Sequence, residues 1–163
     1  MLPPNFQRYA DLVTENDLAE ALEKQGRSTS ALFHAISDDK AAFRYAPEKW
    51  SVRQVVGHMT DCERVFSYRA MAFARGEKQS LPGFDENPYA EHGEFDRLSI
   101  RQLADAYEAV RRSTVLLLRG LPDAAWERGG VASETPLTVR DLARITLGHE
   151  RHHLRVLREK YGV

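Results

Sequence analysis

The sequence predicts an all-α fold, a four-helix bundle, on three observations. Four long stretches carry apolar residues at spacings of three and four, which puts them on one face of a helix. Three of those stretches open with the same capping signal. Nowhere does a convincing run of alternating apolar and polar residues read as a strand. The chain of 163 residues suits one domain, residues 1–163, large enough to bury a core.

Residues 1–14 read as an irregular lead-in. Thr14 then opens a capping box with Asp17, and a first helix is expected to about Ser37. Leu18, Leu22, Leu32, Phe33 and Ile36 form its apolar side, and Gly26 interrupts it. The second helix is expected from Val52 to about Arg75, the third from Ile100 to about Arg119 and the fourth from Val139 to about Lys160. Their starts are Trp50-Ser51-Val52-Arg53-Gln54-Val55, Leu98-Ser99-Ile100-Arg101-Gln102-Leu103 and Leu137-Thr138-Val139-Arg140-Asp141-Leu142. Each has a Ser or Thr cap and a Gln or Asp three residues on that can reach back. Each also has an apolar residue before the cap that can staple onto the one at the fourth position. Three helix starts using the same physics explain the likeness without a repeat.

Two connections are long. Gly76 to Leu98 exceeds what a bundle needs, and its Phe84, Tyr89, Phe95 and prolines suit a packed flap over a pocket. Packing outside the bundle or at a dimer contact is the plain alternative. Leu121 to Pro136 holds Trp126 and a Gly129-Gly130 turn.

The chemistry concentrates near residue 150. His149 and His153 are four apart within Leu142, Ile145, His149, His153, Val156 and Leu157, so two imidazoles share the apolar face and can grip one ion. The plain alternative is a histidine-rich, solvated helix end. His58 lies seven residues after its cap Ser51 and His149 eleven after Thr138. The difference is about one helical turn, so the two have nearly the same orientation relative to their helix starts. A lone histidine there reads as a satisfied core residue. With His149 and His153 it makes a three-imidazole site that leaves positions open, the catalytic pattern rather than the structural one. Neutral imidazole is the ligand form, so metal affinity is expected to fall as pH drops through about 6.5.

Spacing alone leaves His152, three from His149, as a competing ligand. Cys62, four after His58, can reach the ion as a thiolate, although a lone Cys there is more ordinarily a small core residue. Asp61, Glu63 and Glu150 can orient ring N–H groups, or be solvated charges. His34 and His92 have no evident partner.

Two segments carry a family resemblance. Trp50-Ser51-Val52-Arg53-Gln54-Val55-Val56-Gly57-His58-Met59-Thr60-Asp61 and Gly148-His149-Glu150-Arg151-His152-His153-Leu154 resemble the first and last helix motifs of the DinB-like, YfiT-like superfamily of metal-dependent enzymes. Pro82-Gly83-Phe84-Asp85 and Leu121-Pro122-Asp123-Ala124-Ala125-Trp126-Glu127-Arg128-Gly129-Gly130 match its style of connection. The resemblance implies a bundle with its own connection order and a divalent ion, zinc or nickel, on His58, His149 and His153. It also implies a homodimer. The family includes S-transferases that use thiols such as bacillithiol or mycothiol, and a maleylpyruvate isomerase branch.

The expected function is therefore a divalent-metal-dependent enzyme, a thiol S-transferase acting on small electrophiles. A metal-dependent hydrolase is the alternative, for which no general base can be placed. A non-enzymatic metal-binding stress protein is the alternative of another class, and a fourth ligand from Cys62 would favour it. Arg69, Arg111 and Arg112 are candidates to bind the thiol carrier. A net charge of -1 gives no pull toward nucleic acid or an anionic membrane. One cysteine and no signal-peptide pattern make the cytoplasm the expected location.

Overall fold

The computed structural model describes residues 2–163. Its first element corrects the expectation of an irregular lead-in: residues Pro4–Ala10 form a helix, α1. Pro4 sits in its first turn, where a missing N–H costs nothing. The helix is too short to be stable alone, and what holds it is packing on the last helix of the chain. Local pattern could not show that contact.

The long helix α2 spans Leu18–Ala35. Its cap is Asp17, whose carboxylate accepts from the Glu20 N–H at 2.9 Å, and not Thr14, whose own N–H goes to the Glu15 carboxylate. An Asp carboxylate satisfies the same free donors as a Thr hydroxyl and adds negative charge at the helix start. The helix runs unbroken through Gly26. A Cβ there would lie 2.6 Å from Arg111 Cγ, so the glycine makes room for that side chain.

A short helix α3 (Asp38–Ala41) leads to α4 (Val52–Ala74). The flap region contains α5 (Glu86–His92) and a 3-10 turn at Phe95–Arg97. Then come α6 (Ile100–Arg119) and α7 (Asp123–Trp126). The boxes expected at Ser51/Gln54, Ser99/Gln102 and Thr138/Asp141 all form, with side chain and backbone bonded in both directions.

Two strands were not expected. β1 (Gly129–Ala132) and β2 (Thr135–Thr138) pair antiparallel, with Gly129 opposite Thr138 and Ala132 opposite Thr135. Gly129-Gly130-Val131-Ala132 and Thr135-Pro136-Leu137-Thr138 carry no apolar–polar alternation, and the Gly129-Gly130 pair read as a turn lies within β1. Leu81 joins the hairpin through a single parallel bridge to Ala132. The last helix, α8 (Val139–Val156), ends in a π-type turn over Leu157–Tyr161.

The four long helices form a ring in which α2 packs on α6 and α8, and α4 packs on the same two. The successive long helices α2 and α4 thus lie across the diagonal. This order makes α4 and α8 neighbours, and they are the two histidine-bearing helices. Leu22, Phe66, Phe73, Leu142 and Ile145 anchor one apolar cluster, and Phe33, Val56, Met59, Tyr107 and Leu157 the other. Each such side chain contributes roughly 2 kcal/mol by burial.

The core also holds charge. Arg111 donates from Nε and Nη2 to the two oxygens of Glu63, each at 2.8 Å, from Nη2 to Glu150, and from Nη1 to the Leu22 carbonyl at 3.0 Å. Glu150 also accepts from the hydroxyls of Tyr107, at 2.9 Å, and Thr29. All five side chains are buried. Among the described residues no helix is long and apolar enough to cross a membrane.

Candidate metal centre

α4 and α8 bring the three expected histidines together. His149 Nε2 lies 3.2 Å from His58 Nε2 and 3.1 Å from His153 Nε2, and one ring nitrogen from each residue falls within 4.8 Å of the others. Two nitrogens of a tetrahedral zinc site, each at about 2.0–2.1 Å from the ion, stand roughly 3.3 Å apart. The donor chemistry fits as well. A neutral imidazole nitrogen offers either one N–H or one lone pair. His149 Nε2 therefore cannot make a good hydrogen bond to both neighbours, whereas one cation accepts a lone pair from all three.

Burial keeps these rings neutral. His58, 7% exposed, is pushed down to about 4 by desolvation. Desolvation also pushes His149 and His153 well below the ordinary histidine value, helped by the charge of the neighbouring imidazoles. The proton competition expected near pH 6.5 is thereby moved to lower pH.

Aromatic rings hold the imidazoles in place. Tyr9 of α1 meets His149 edge-on at 5.2 Å between centroids, Phe66 meets the same ring at 5.8 Å, and Trp50 lies on His58 at 4.8 Å. The close approach of α1 depends on Gly148, where a Cβ would fall 1.9 Å from the Tyr9 carbonyl oxygen. The histidines sit in a pocket of about 380 Å³, also lined by Cys62, Arg69, Phe84, Glu86 and Ser133.

His152 lines this pocket and meets Tyr9 edge-on at 5.5 Å between centroids, but stands outside the three-nitrogen cluster. Cys62 is buried, with Sγ 3.6 Å from both ring nitrogens of His58, and is not among the clustered donors. Burial, with the charge of Glu86, pushes its thiol pKa up. No carboxylate is hydrogen-bonded to the three rings among the described residues. Asp61 pairs with Arg64 at 2.6 Å on the surface, while Glu63 and Glu150 are committed to Arg111.

Of the three arginines expected at the thiol site, only Arg69 is in the pocket. Arg111 is consumed by the buried network, and Arg112 is exposed on another face beside Glu108 and Leu116. A charged residue at helical spacing does not reveal which neighbour will claim it. His34 lies 3.5 Å from Asp105 on the outside of the bundle, and His92 is exposed at the end of α5. The flap supplies Phe84 to the pocket, but Tyr89 packs on Phe84 and is half exposed. Phe95 is buried instead against α4, where Gly57 leaves space for its ring.

Sequence reasoning missed Tyr9, Trp50, Glu86 and Ser133. Trp50 carried a signal, since it precedes the cap two turns ahead of His58. Tyr9, Glu86 and Ser133 come from segments with no periodicity to place them.

A bundle with its histidine helices made adjacent by a crossed connection order, and three neutral imidazoles converging in a pocket, defines the class: a helical bundle built around a candidate divalent-metal site. The chain belongs to the DinB superfamily, whose model matches residues 21–157, as the two histidine motifs implied. Among solved structures it is similar to YfiT from Bacillus subtilis, described as a probable metal-dependent hydrolase with an unusual four-helix bundle topology. The identity is 19% and the TM-score 0.77, covering 92% of this chain and 91% of that one. It is also similar to the DinB-like protein YjoA from Bacillus subtilis, at 20% identity and TM-score 0.63, over 87% of each chain. A variant of a mycothiol-dependent maleylpyruvate isomerase aligns at 10% identity and TM-score 0.64, over 90% of this chain and 61% of that one. No curated protein sequence matches. At these identities the structural likenesses establish the fold alone.

Proposed function

We propose that the protein is a divalent-metal-dependent enzyme that transfers a low-molecular-weight thiol onto a small electrophile, with His58, His149 and His153 as the metal ligands. The observation that carries this reading is the convergence of three imidazole nitrogens, with no fourth side-chain donor among the described residues, in a pocket of about 380 Å³. A bound divalent ion supplies Lewis acidity and lowers the pKa of a coordinated thiol or water. Three neutral imidazoles leave the ion's charge uncompensated, which strengthens that effect. Thiol activation of this kind needs no separate base. Trp50, Phe66 and Phe84 wall the pocket with apolar surface that limits water.

A metal-dependent hydrolase is the second reading, and Glu86 is the observation that favours it. Its carboxylate lines the same pocket and is a candidate general base. A purely structural ion fits less well, because such a site is normally closed by four protein ligands and Cys62 stands outside the cluster. The same reading takes zinc or nickel as the ion and a homodimer as the working unit. Metal analysis of untagged protein and its mass in solution test both.

The deciding experiment incubates metal-loaded protein with a low-molecular-weight thiol and a chromogenic electrophile, and in parallel with a chromogenic ester. Thiol consumption that requires metal and is lost in His149→Ala is the expected result. Metal-dependent ester cleavage indifferent to thiol would overturn it in favour of hydrolysis.

A further inference from the structure

Arg69 is a buried positive charge that the fold leaves without an acid. It is 2% exposed, yet no carboxylate among the described residues forms an ion pair with it. Arg111, buried deep in the core, is held by two. Nη2 of Arg69 donates to the Pro82 carbonyl at 2.8 Å and the Ser133 hydroxyl at 3.0 Å. The N–H groups on Nε and Nη1 make no hydrogen bond to the described residues, and the side chain lines the histidine pocket. Neither nitrogen is sealed off from the pocket, so the counter-charge this guanidinium lacks can be supplied from the pocket space.

The tether on Arg69 is itself strained. Ser133 and Glu134, the two turn residues of the hairpin, have φ of 51° and 61°. Two non-glycine residues in the left-handed region cost roughly 1–2 kcal/mol each, and an Asn-Gly turn would relieve much of that. What this turn accomplishes is to set a hydroxyl against Arg69. Strain of this kind gathers where a side chain must be aimed.

His58, Cys62, Phe66 and Arg69 lie at successive spacings of four, four and three on α4, and all four line the pocket. The pocket is thus a trough along one helix face, with the histidine cluster at one end and the guanidinium at the other. The two Cα positions are about 16 Å apart along the axis, and the long arginine side chain leans back toward the helix start and shortens the gap. Between the two ends the walls are mainly aromatic, with Cys62 and Glu86 also lining the pocket, and the Phe84 ring lies 5.9 Å from the Arg69 guanidinium carbon.

We propose that Arg69 is the anion-recognition residue of this pocket, and that the substrate is an elongated small molecule with an apolar middle and a carboxylate at the end remote from its reacting centre. The proposal rests on reading the trough as the substrate site of a metal enzyme. A carboxylate oxygen can accept a charge-assisted bond from Nε or from Nη1, the donors that Pro82 and Ser133 leave on the guanidinium, and such bonds are about twice as strong as neutral ones. Aromatic walls suit the planar or apolar body that carries it.

The test titrates zinc-loaded protein with phenylacetate and with phenylacetamide, its neutral counterpart, by calorimetry. Phenylacetate should bind about tenfold more tightly. The preference should vanish in Arg69→Gln with zinc content unchanged, persist in part in Arg69→Lys, and weaken several-fold in Ser133→Ala, which leaves the arginine in place. Repeating the titration on metal-free protein separates Arg69 from coordination of the probe by the ion, and the preference should survive there. Three results would overturn the proposal: an undiminished preference in folded Arg69→Gln, no preference in the metal-free protein, or tighter binding of inorganic phosphate than of phenylacetate. A protein that shows the preference but transfers no thiol removes the thiol reading and leaves the anion site standing.

Discussion

Replacing His58 by leucine in the metal-free protein should flatten the loss of stability in acid. The His58 ring is 7% exposed, and desolvation brings its pKa down to about 4 from an ordinary value near 6.5. A histidine whose folded value is depressed takes up its proton more readily in the unfolded chain. Its contribution is therefore fully present above pH 6.5 and is lost as pH falls from there to about 4. Each pH unit in that window is worth 1.36 kcal/mol, so the whole window is worth about 3 kcal/mol, and the part down to pH 4.5 between 2 and 3. His149 and His153 lose stability in the same direction, and removing a neighbouring imidazole charge eases both. The difference between the two proteins should then be no smaller than the His58 contribution. Urea denaturation in the presence of chelator at pH 7.0 and 4.5 measures it. The wild-type protein should lose about 2–3 kcal/mol more than His58→Leu between those pH values. Equal losses would refute the argument that burial holds this ring neutral. For the same reason zinc should remain bound down to about pH 5 while the protein stays folded.

Zinc binding should be abolished by His153→Ala and kept by His152→Ala, measured as metal per chain after dialysis. Gly148→Ala should drive α1 off α8, because the new methyl meets the Tyr9 carbonyl. The expected cost is about 1–3 kcal/mol, with increased protease cleavage before residue 15 as the accompanying sign. Arg111→Met strands two buried carboxylates and should cost roughly 3–5 kcal/mol in denaturant titrations. The exposed pair Arg140–Glu127 should cost under about 1 kcal/mol when broken.

The parts of this fold that were legible in the sequence are those set by local physics. Ser51, Ser99 and Thr138 announce helix starts because the box is complete within four residues. His58, His149 and His153 could be gathered because helical spacing fixes their faces and the family resemblance selects His153 over His152. The hairpin was illegible because its strands carry no apolar–polar alternation and its turn uses Ser133-Glu134 where a readable signal would be Asn-Gly. Helix α1 was illegible because its reason for existing is the bare backbone at Gly148, more than a hundred residues away. The fates of Arg69, Arg111 and Arg112 were indistinguishable from spacing alone. Each was decided by which helix or loop the tertiary arrangement set opposite it.

The buried charge network has a consequence for the rotational phase of the bundle. Thr29, Glu63, Tyr107, Arg111 and Glu150 come from all four long helices. Turning any of those helices by a single residue, 100° about its axis, would strand a charge or hydroxyl in apolar surroundings. Apolar side chains alone would tolerate such slippage far better. Glu150 follows His149 directly, and Glu63 is five residues beyond His58, so fixing the azimuth of these two glutamates also aims the two imidazoles. Replacing the network with leucine and methionine could yield a sturdier bundle. It would also free α4 and α8 to rotate, and the convergence of the three nitrogens would be the first thing lost.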